Sequence, residues 1–222
     1  MLNNICYTQL DSTTTTWCAT AQVYALPTQQ CKTTNNCLSA PQLAQIQRQQ
    51  QRSGVRLLLQ YLIEKLNIID SLDESSFPYR LKHSRYYICF SHTSSDGKAI
   101  ESPFIKVAVI ISRDRASGID IEVNQVSSKI ATRFYHHNEL TILQNLAEVE
   151  RDTVIRWLWQ IKESFIKIRQ YTLAQGLGMD YSAIIPDLIQ SFEDNSPLLT
   201  ITDDNGGYRI TAIPSQQTLI VY

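Results

Sequence analysis

The sequence predicts an α+β protein. Three observations lead there: two long segments with helical periodicity, several short runs of β-branched and aromatic residues, and an order in which these come in blocks. Helix and then strands, followed by helices and then strands, gives that order roughly twice, with no βαβ run to suggest a parallel sheet. The chain of 222 residues is long enough to bury a core without disulfide or metal staples, as one large domain or two small ones sharing an interface. No internal sequence repeat is visible, so a division into residues 1–115 and 116–222 rests on element order alone.

Residues 1 to about 40 are rich in Thr, Asn and Gln, and "AQVYAL" has the alternation of a strand. From Leu43 onward Val55, Leu58, Leu59, Leu62 and Leu66 recur at the spacing of one buried helix face. "DSLDESSFPYRLKHSR", with Pro78 and many polar residues, reads as a loop. "YYICFS", "FIKVAVIIS" and "SGIDIEV" then read as three strands in a meander, split by "HTSSDGKAIESP" and "RDRA". Residues 128–150 read as helical pieces broken near "HHN". In "DTVIRWLWQIKESFIKIRQ" the residues Val154, Ile155, Leu158, Ile161, Phe165 and Ile168 share a face, with Asp152 as the predicted N-cap. The tail reads as strands, "LLTITDDNGGYRITAI" turning at its glycines and "TLIVY" following.

Composition narrows the function. Hydrophobic residues make up 43%, charged residues 18%, and the net charge is −1, a soluble globular profile in which any basic site must be local. That balance argues against a nucleic-acid surface. The N-terminus shows neither a signal peptide nor a membrane span, so the expected location is the cytoplasm. Cys6, Cys18, Cys31, Cys37 and Cys89 follow no zinc-ligand spacing and are expected to be reduced thiols; a Cys31–Cys37 disulfide is the alternative if the protein is exported.

The candidate site begins in "GIDIE". Along a strand Asp120 and Glu122 point to one face, where their mutual repulsion asks for a cation; a solvated strand face carries the same pattern. On the later helix Trp159, Glu163 and Lys167 stand at i, i+4 and i+8, opposite the apolar stripe. Glu163 and Lys167 at that spacing also make an ordinary surface ion pair; a third carboxylate brought beside the first two makes an oxygen-rich site suited to Mg²⁺, and Lys167 beside it suits a phosphate. Arg48, Arg52 and Arg56 form a further stripe on the first helix, where like charges repel and an anion would relieve them; a solvated basic face whose long side chains splay apart carries the same pattern.

Those residues carry a resemblance. Gly118, Ile119 and Asp120, followed about forty residues on by Trp159, Lys162, Glu163, Ser164 and Lys167, resemble the two-block signature of the 4′-phosphopantetheinyl transferases. That signature is G-[IV]-D and then [FW]-x-x-K-E-[SA]-x-x-K. "FSHTS" and the "RSGVR" around Arg56 are similar to two further blocks of the family, and the length looks like its two-halved, monomeric, surfactin-synthetase-activating type. The glycine-lysine-proline stretch common ahead of the Ser-His block is replaced here by "ESSFPYRL".

The resemblance implies two similar α+β halves forming a pseudo-dimer, each with an antiparallel sheet packed against helices. It implies transfer of the phosphopantetheine arm of coenzyme A to a serine of an acyl or peptidyl carrier protein, with release of 3′,5′-ADP. By similarity Asp120, Glu122 and Glu163 hold Mg²⁺, and Glu163 is the general base. Ser91, His92, Lys162 and Lys167 contact the coenzyme A phosphates, with Lys167 also serving catalysis, and Arg56 reaches the 3′-phosphate. Candidates for carrier docking are Lys129, Arg133, Lys167 and Arg169, with Lys129 or Arg133 foremost; balancing neighbouring acids is the alternative role. His83, His136 and His137 are expected at the surface or as caps, and Trp157 and Trp159 as packing residues. The alternatives are a silent coenzyme A or carrier-protein binding module and a metal-dependent phosphodiester hydrolase.

Overall fold

The computed structural model describes residues 1–10, 15–24, 39–94, 104–193, 199–203 and 207–222. The Cys31–Cys37 alternative, the loop within 95–103 and the turn at 204–206 lie outside the described residues. Cys6, Cys18 and Cys89 are free thiols, and burial pushes the Cys18 pKa up to about 12.

The first sheet is antiparallel and has six strands. β1 (Leu2–Gln9) and β2 (Thr16–Tyr24) lead into α1 (Ala40–Lys65); β3 (Leu72–Asp73), β4 (Tyr79–Leu81), β5 (Tyr87–Ser94) and β6 (Phe104–Ser112) follow, in the spatial order β1-β2-β6-β5-β4-β3. Helix α1 starts with Pro41 in its first turn and the Gln42 side chain accepting a hydrogen bond from the Ser39 N–H at 2.8 Å. Its face of Val55, Leu58, Leu59 and Leu62 is buried on this sheet as the periodicity predicts. Gly54 permits the close approach: a Cβ there would meet Val23 at 2.9 Å and Val107 at 3.1 Å.

β6 explains its own unbroken apolar run. Ile105, Val107, Val109 and Ile111 point toward α1, while Ala108 and Ile110 point the other way, into a core shared with Ile119, Ile121, Ile213 and Ile220 of a second sheet. That sheet has four antiparallel strands, β7 (Gly118–Ile121), β8 (Leu199–Asp203), β9 (Tyr208–Ile213) and β10 (Thr218–Val221), in the order β7-β10-β9-β8. Its far side is covered by α4 (Glu148–Arg169), whose Ile155, Leu158, Ile161 and Phe165 share a core with Tyr208, Ile210, Leu219 and Val221. Between β7 and α4 come α2 (Ser128–Phe134) and α3 (His137–Leu143); α5 (Leu173–Leu177) and α6 (Ile185–Glu193) follow α4.

Three expectations are corrected and two helices are added. The three strands are not a meander: β5 and β6 pair, but β7 leaves them to pair with β10, because Ile119 and Ile121 are buried between the sheets. The segment read as a loop contains β3 and β4, too short to show a period. Helix α4 begins four residues before Asp152, with Glu148 and Glu150 in its first turn complementing the helix dipole; Asp152 instead accepts a hydrogen bond from Gln125 at 2.7 Å. Finally, α5 and α6 lie in a stretch for which no element was predicted.

Candidate active site

β7 is the edge strand of the second sheet, and the edge not paired with β10 is buried against β5 of the first. The Ser91 hydroxyl accepts a hydrogen bond from the Ile121 N–H at 3.3 Å and donates one to the Asp120 carboxylate at 2.9 Å. One residue pair further along, Thr93 donates to Glu122 at 3.0 Å, and the Asn124 N–H donates to the same oxygen at 2.8 Å. Period-two alternation thus sends Ile119 and Ile121 into the core and presents both acids at the junction of the sheets.

Helix α4 supplies the opposite wall through Trp159, Glu163 and Lys167, the stripe expected from their spacing. It lies so close to β7 that the Gly118 Cα faces the Ser164 backbone. The buried Gln160 side chain donates to the Asp120 carbonyl at 3.3 Å and the Gln217 carbonyl at 2.9 Å, holding the helix to β7 and to the start of β10. With Arg52 and Arg56 of α1, Glu74 and Tyr79 before and within β4, and His92 of β5, these walls enclose a cleft of about 750 Å³.

Charges in the cleft are paired unevenly. The Lys167 ammonium donates to the Ile119 carbonyl at 2.8 Å, the Asp120 carboxylate at 3.0 Å and the Ser91 hydroxyl at 3.2 Å, using all three of its protons. Burial acts to lower the Lys167 pKa, but the charge and hydrogen bond of Asp120, together with the nearby Cys89 and Glu163, outweigh it, and it stands raised. Glu163 is half-buried, and its pKa is raised, first by burial and then by the nearby charges of Asp120 and Glu122, against the opposing pull of Lys167. His92 has its pKa lowered, first by desolvation and then by the charge of Lys167. The guanidinium of Arg56 is ion-paired with Glu74 and also donates to the Arg52 carbonyl at 2.9 Å.

Of the predicted site residues, Arg56, Ser91, His92, Asp120, Glu122, Glu163 and Lys167 line this one cleft. Lys162 does not, and the expectation that it contacts phosphate is corrected. It is fully buried on the other side of α4, 2.9 Å from the equally buried Glu139 of α3. It also donates to the Met179 carbonyl and lies between the rings of Tyr135 and Tyr181, 5.0 and 5.2 Å from their centroids. Glu139 completes the cluster by accepting the N–H groups of His136 and Tyr181, each at 2.9 Å. His136 caps α3, as expected, and Trp157 is buried in the core.

Sequence reasoning missed Thr93, Glu74 and Arg156. Thr93 was visible as the second inward hydroxyl of "FSHTS"; Arg156, which interacts electrostatically with Glu122, lies one helical turn ahead of Trp159 and Gln160. Glu74 carried no signal.

The donor set suits a hard divalent cation: Asp120, Glu122 and Glu163 are oxygen donors on one cleft, and the mutual repulsion that helps raise the Glu163 pKa is what a cation relieves. As placed, with Asp120 engaged by Lys167, no three acidic, imidazole or thiol groups among the described residues converge on one point.

Two comparisons bear on this cleft. The family model described as the 4′-phosphopantetheinyl transferase superfamily matches residues 116–215. A protein of Aneurinibacillus migulanus described as 4′-phosphopantetheinyl transferase gsp is 45% identical over 51 residues, a match spanning 22% of this chain and 22% of that protein's length. Residues 116–215, which carry Asp120, Glu122, Glu163 and Lys167, thus match the 4′-phosphopantetheinyl transferase superfamily, the family that the two motif blocks resemble.

Proposed function

We propose that this protein transfers the 4′-phosphopantetheine arm of coenzyme A to a serine hydroxyl of an apo carrier protein, giving holo carrier protein and 3′,5′-ADP. The observation that carries the reading is the cleft itself: three acids, Lys167, the Ser91-His92 pair and Arg56, drawn from four elements distant in sequence, face one volume.

In the reaction the serine oxygen bonds to the phosphorus that bears the pantetheine arm, the bond from that phosphorus to the bridging oxygen breaks, and its electron pair leaves with 3′,5′-ADP. Such displacements depend on neutralising oxygen charge and on placing the nucleophile in line. Mg²⁺ held by Asp120, Glu122 and Glu163 supplies part of that neutralisation when bound. Glu163 takes the serine proton, a role that its raised pKa suits. Lys167, held in the free protein against Asp120, faces the pyrophosphate oxygens when substrate is bound. Ser91 and His92 contact the coenzyme A phosphates; a His92 that is mostly neutral before binding becomes a better donor as phosphate raises its pKa. Arg56 receives the 3′-phosphate. Lys162 is assigned a structural role.

Each sheet with its helix is read as one half of a pseudo-dimer, divided near residue 115. Because both halves of the cleft come from one chain, a monomer suffices for activity. An acidic carrier helix is assigned to the basic side of α2, where Lys129 and Arg133 are exposed together with the apolar Ile130, and to Arg169 at the end of α4. No helix among the described residues is long and apolar enough to cross a membrane, and the cytoplasm, where coenzyme A and carrier proteins meet, is the proposed location.

Mass spectrometry of an apo carrier protein incubated with this protein, Mg²⁺ and coenzyme A tests the reading. A gain of one phosphopantetheine is expected. An unchanged carrier overturns the reading, and cleavage of coenzyme A without acceptor makes the protein a hydrolase.

A further inference from the structure

We propose that Glu74 is a resident counter-ion of Arg56, which a phosphate monoester must displace in order to bind, and that it limits how tightly the protein holds both coenzyme A and the released 3′,5′-ADP. This rests on the reading of Arg56 as the contact for the 3′-phosphate.

Arg56 is the last of three arginines on one face of α1, and among the described residues it is the one of the three whose guanidinium meets an acid. Both side chains of the Arg56–Glu74 pair are 41% exposed, so water competes for each and the pair opens at small cost. The turn that presents Glu74 is itself fixed. Asp73 accepts the N–H of Ser75 at 3.0 Å and its hydroxyl at 2.6 Å. Asp70 anchors the neighbouring loop by accepting from Ser71 and Ser84 at 2.7 Å. Glu74 therefore stays beside Arg56 when the pair opens, and returns to it.

The pair also occupies a boundary. Arg56 and Glu74 line both the active-site cleft and a second cavity of about 560 Å³, whose wall includes Leu59, Ile63, Ile68 and Leu72. With Glu74 bound, Arg56 presents little net charge to the cleft. A phosphate monoester brings close to two negative charges against the one of a carboxylate, and accepts the guanidinium fork at least as well, so it wins the exchange. A ligand without that phosphate leaves the pair intact. The displaced carboxylate then stands beside the bound phosphate and repels it, which weakens substrate and product alike.

The test is binding of coenzyme A, 3′-dephospho-coenzyme A and 3′,5′-ADP to the wild-type protein and to Glu74→Gln and Arg56→Ala. Glu74→Gln is expected to tighten coenzyme A and 3′,5′-ADP about ten-fold and to change 3′-dephospho-coenzyme A by less than about two-fold, while turnover becomes more sensitive to inhibition by 3′,5′-ADP. Equal tightening of all three ligands overturns the proposal, since it reports only a general change of field. Unchanged or weaker coenzyme A binding in Glu74→Gln, with Arg56→Ala still weakening coenzyme A selectively, overturns the role of Glu74 and leaves that of Arg56. If Arg56→Ala weakens coenzyme A and 3′-dephospho-coenzyme A equally, or neither, the phosphate reading itself fails, and the proposal falls with it.

Discussion

Gly118 and Ser164 meet backbone to backbone: a Cβ built on Gly118 would stand 2.3 Å from the Ser164 carbonyl oxygen and 2.8 Å from its Cα. The glycine of the first motif block and the small residue of the second are therefore one packing device. It brings the strand that carries Asp120 against the helix that carries Glu163. Gly118→Ala is expected to cost about 3 kcal/mol in urea unfolding, because main chain and not a flexible side chain must give way. Ser164→Ala is expected to be neutral or to stabilise by up to about 1 kcal/mol, since the buried Ser164 hydroxyl finds no hydrogen-bond partner among the described residues. A large loss in Ser164→Ala would show that the hydroxyl has a partner.

The acids of the cleft differ in what their removal does to the fold. Asp120→Ala and Glu163→Ala are both expected to abolish carrier modification. Asp120→Ala also strands the largely buried Lys167, and is expected to destabilise the protein by about 3 kcal/mol. Glu163→Ala removes a carboxylate repelled by two others, and its stability without metal is expected to be level or higher. Denaturation of both variants in the presence of a chelator checks this; equal losses would mean that Lys167 finds other partners.

Lys162 and Glu139 form a fully buried pair, so breaking it from either side leaves an uncompensated charge. Lys162→Met is expected to cost about 3 to 5 kcal/mol, and the double variant Lys162→Met/Glu139→Gln, whose neutral amide oxygen still accepts from the backbone N–H groups, to recover part of that. The Michaelis constant for coenzyme A is expected to stay near the wild-type value in the double variant. A large rise in that constant at undiminished stability would return Lys162 to the cleft.

Asp70 titrates in a way that stability measurements can read. Partial burial acts to raise its pKa, but hydrogen bonds from the N–H and hydroxyl of Ser84 and the N–H groups of Ser71 and His83 hold it well below the usual 3.8. A depressed carboxylate contributes stability above its unfolded pKa and loses it as pH falls through the lower, folded value. Asp70→Asn is thus expected to be less stable than wild type by about 1 kcal/mol at neutral pH, a modest figure because the group is near solvent. The difference should shrink only in strong acid. A gap that does not change across pH, followed by thermal unfolding, would rule out the titration.

Helices α1 and α4 were legible in the sequence because each buries one face for several turns, and the cleft stripe of Trp159, Glu163 and Lys167 followed from the same period. That period also held the correction for Lys162, which is one residue, about 100° of helix, from Glu163 and falls beside the apolar stripe of Leu158 and Phe165. The pairing of β7 was not legible, since its partner β10 comes about a hundred residues later and alternation does not name a partner strand. Glu74 was hidden for a different reason: a single acid in a polar loop has no pattern until the fold sets an arginine beside it.

The edge of β7, capped by Ser91, gives the chain a way of coupling assembly to chemistry. Neither sheet holds a complete site: Asp120 and Glu122 belong to one, and the hydroxyls that orient them belong to the other. A chain in which only one sheet has formed has its acids unaligned and the apolar faces of Ile110 and Ile119 open to water. On the proposed function, coenzyme A turnover becomes a readout of inter-sheet docking. Substitutions at Cys18 or Ile220, neither of which lines the cleft, should lower the proposed transfer in proportion to the docked fraction they remove.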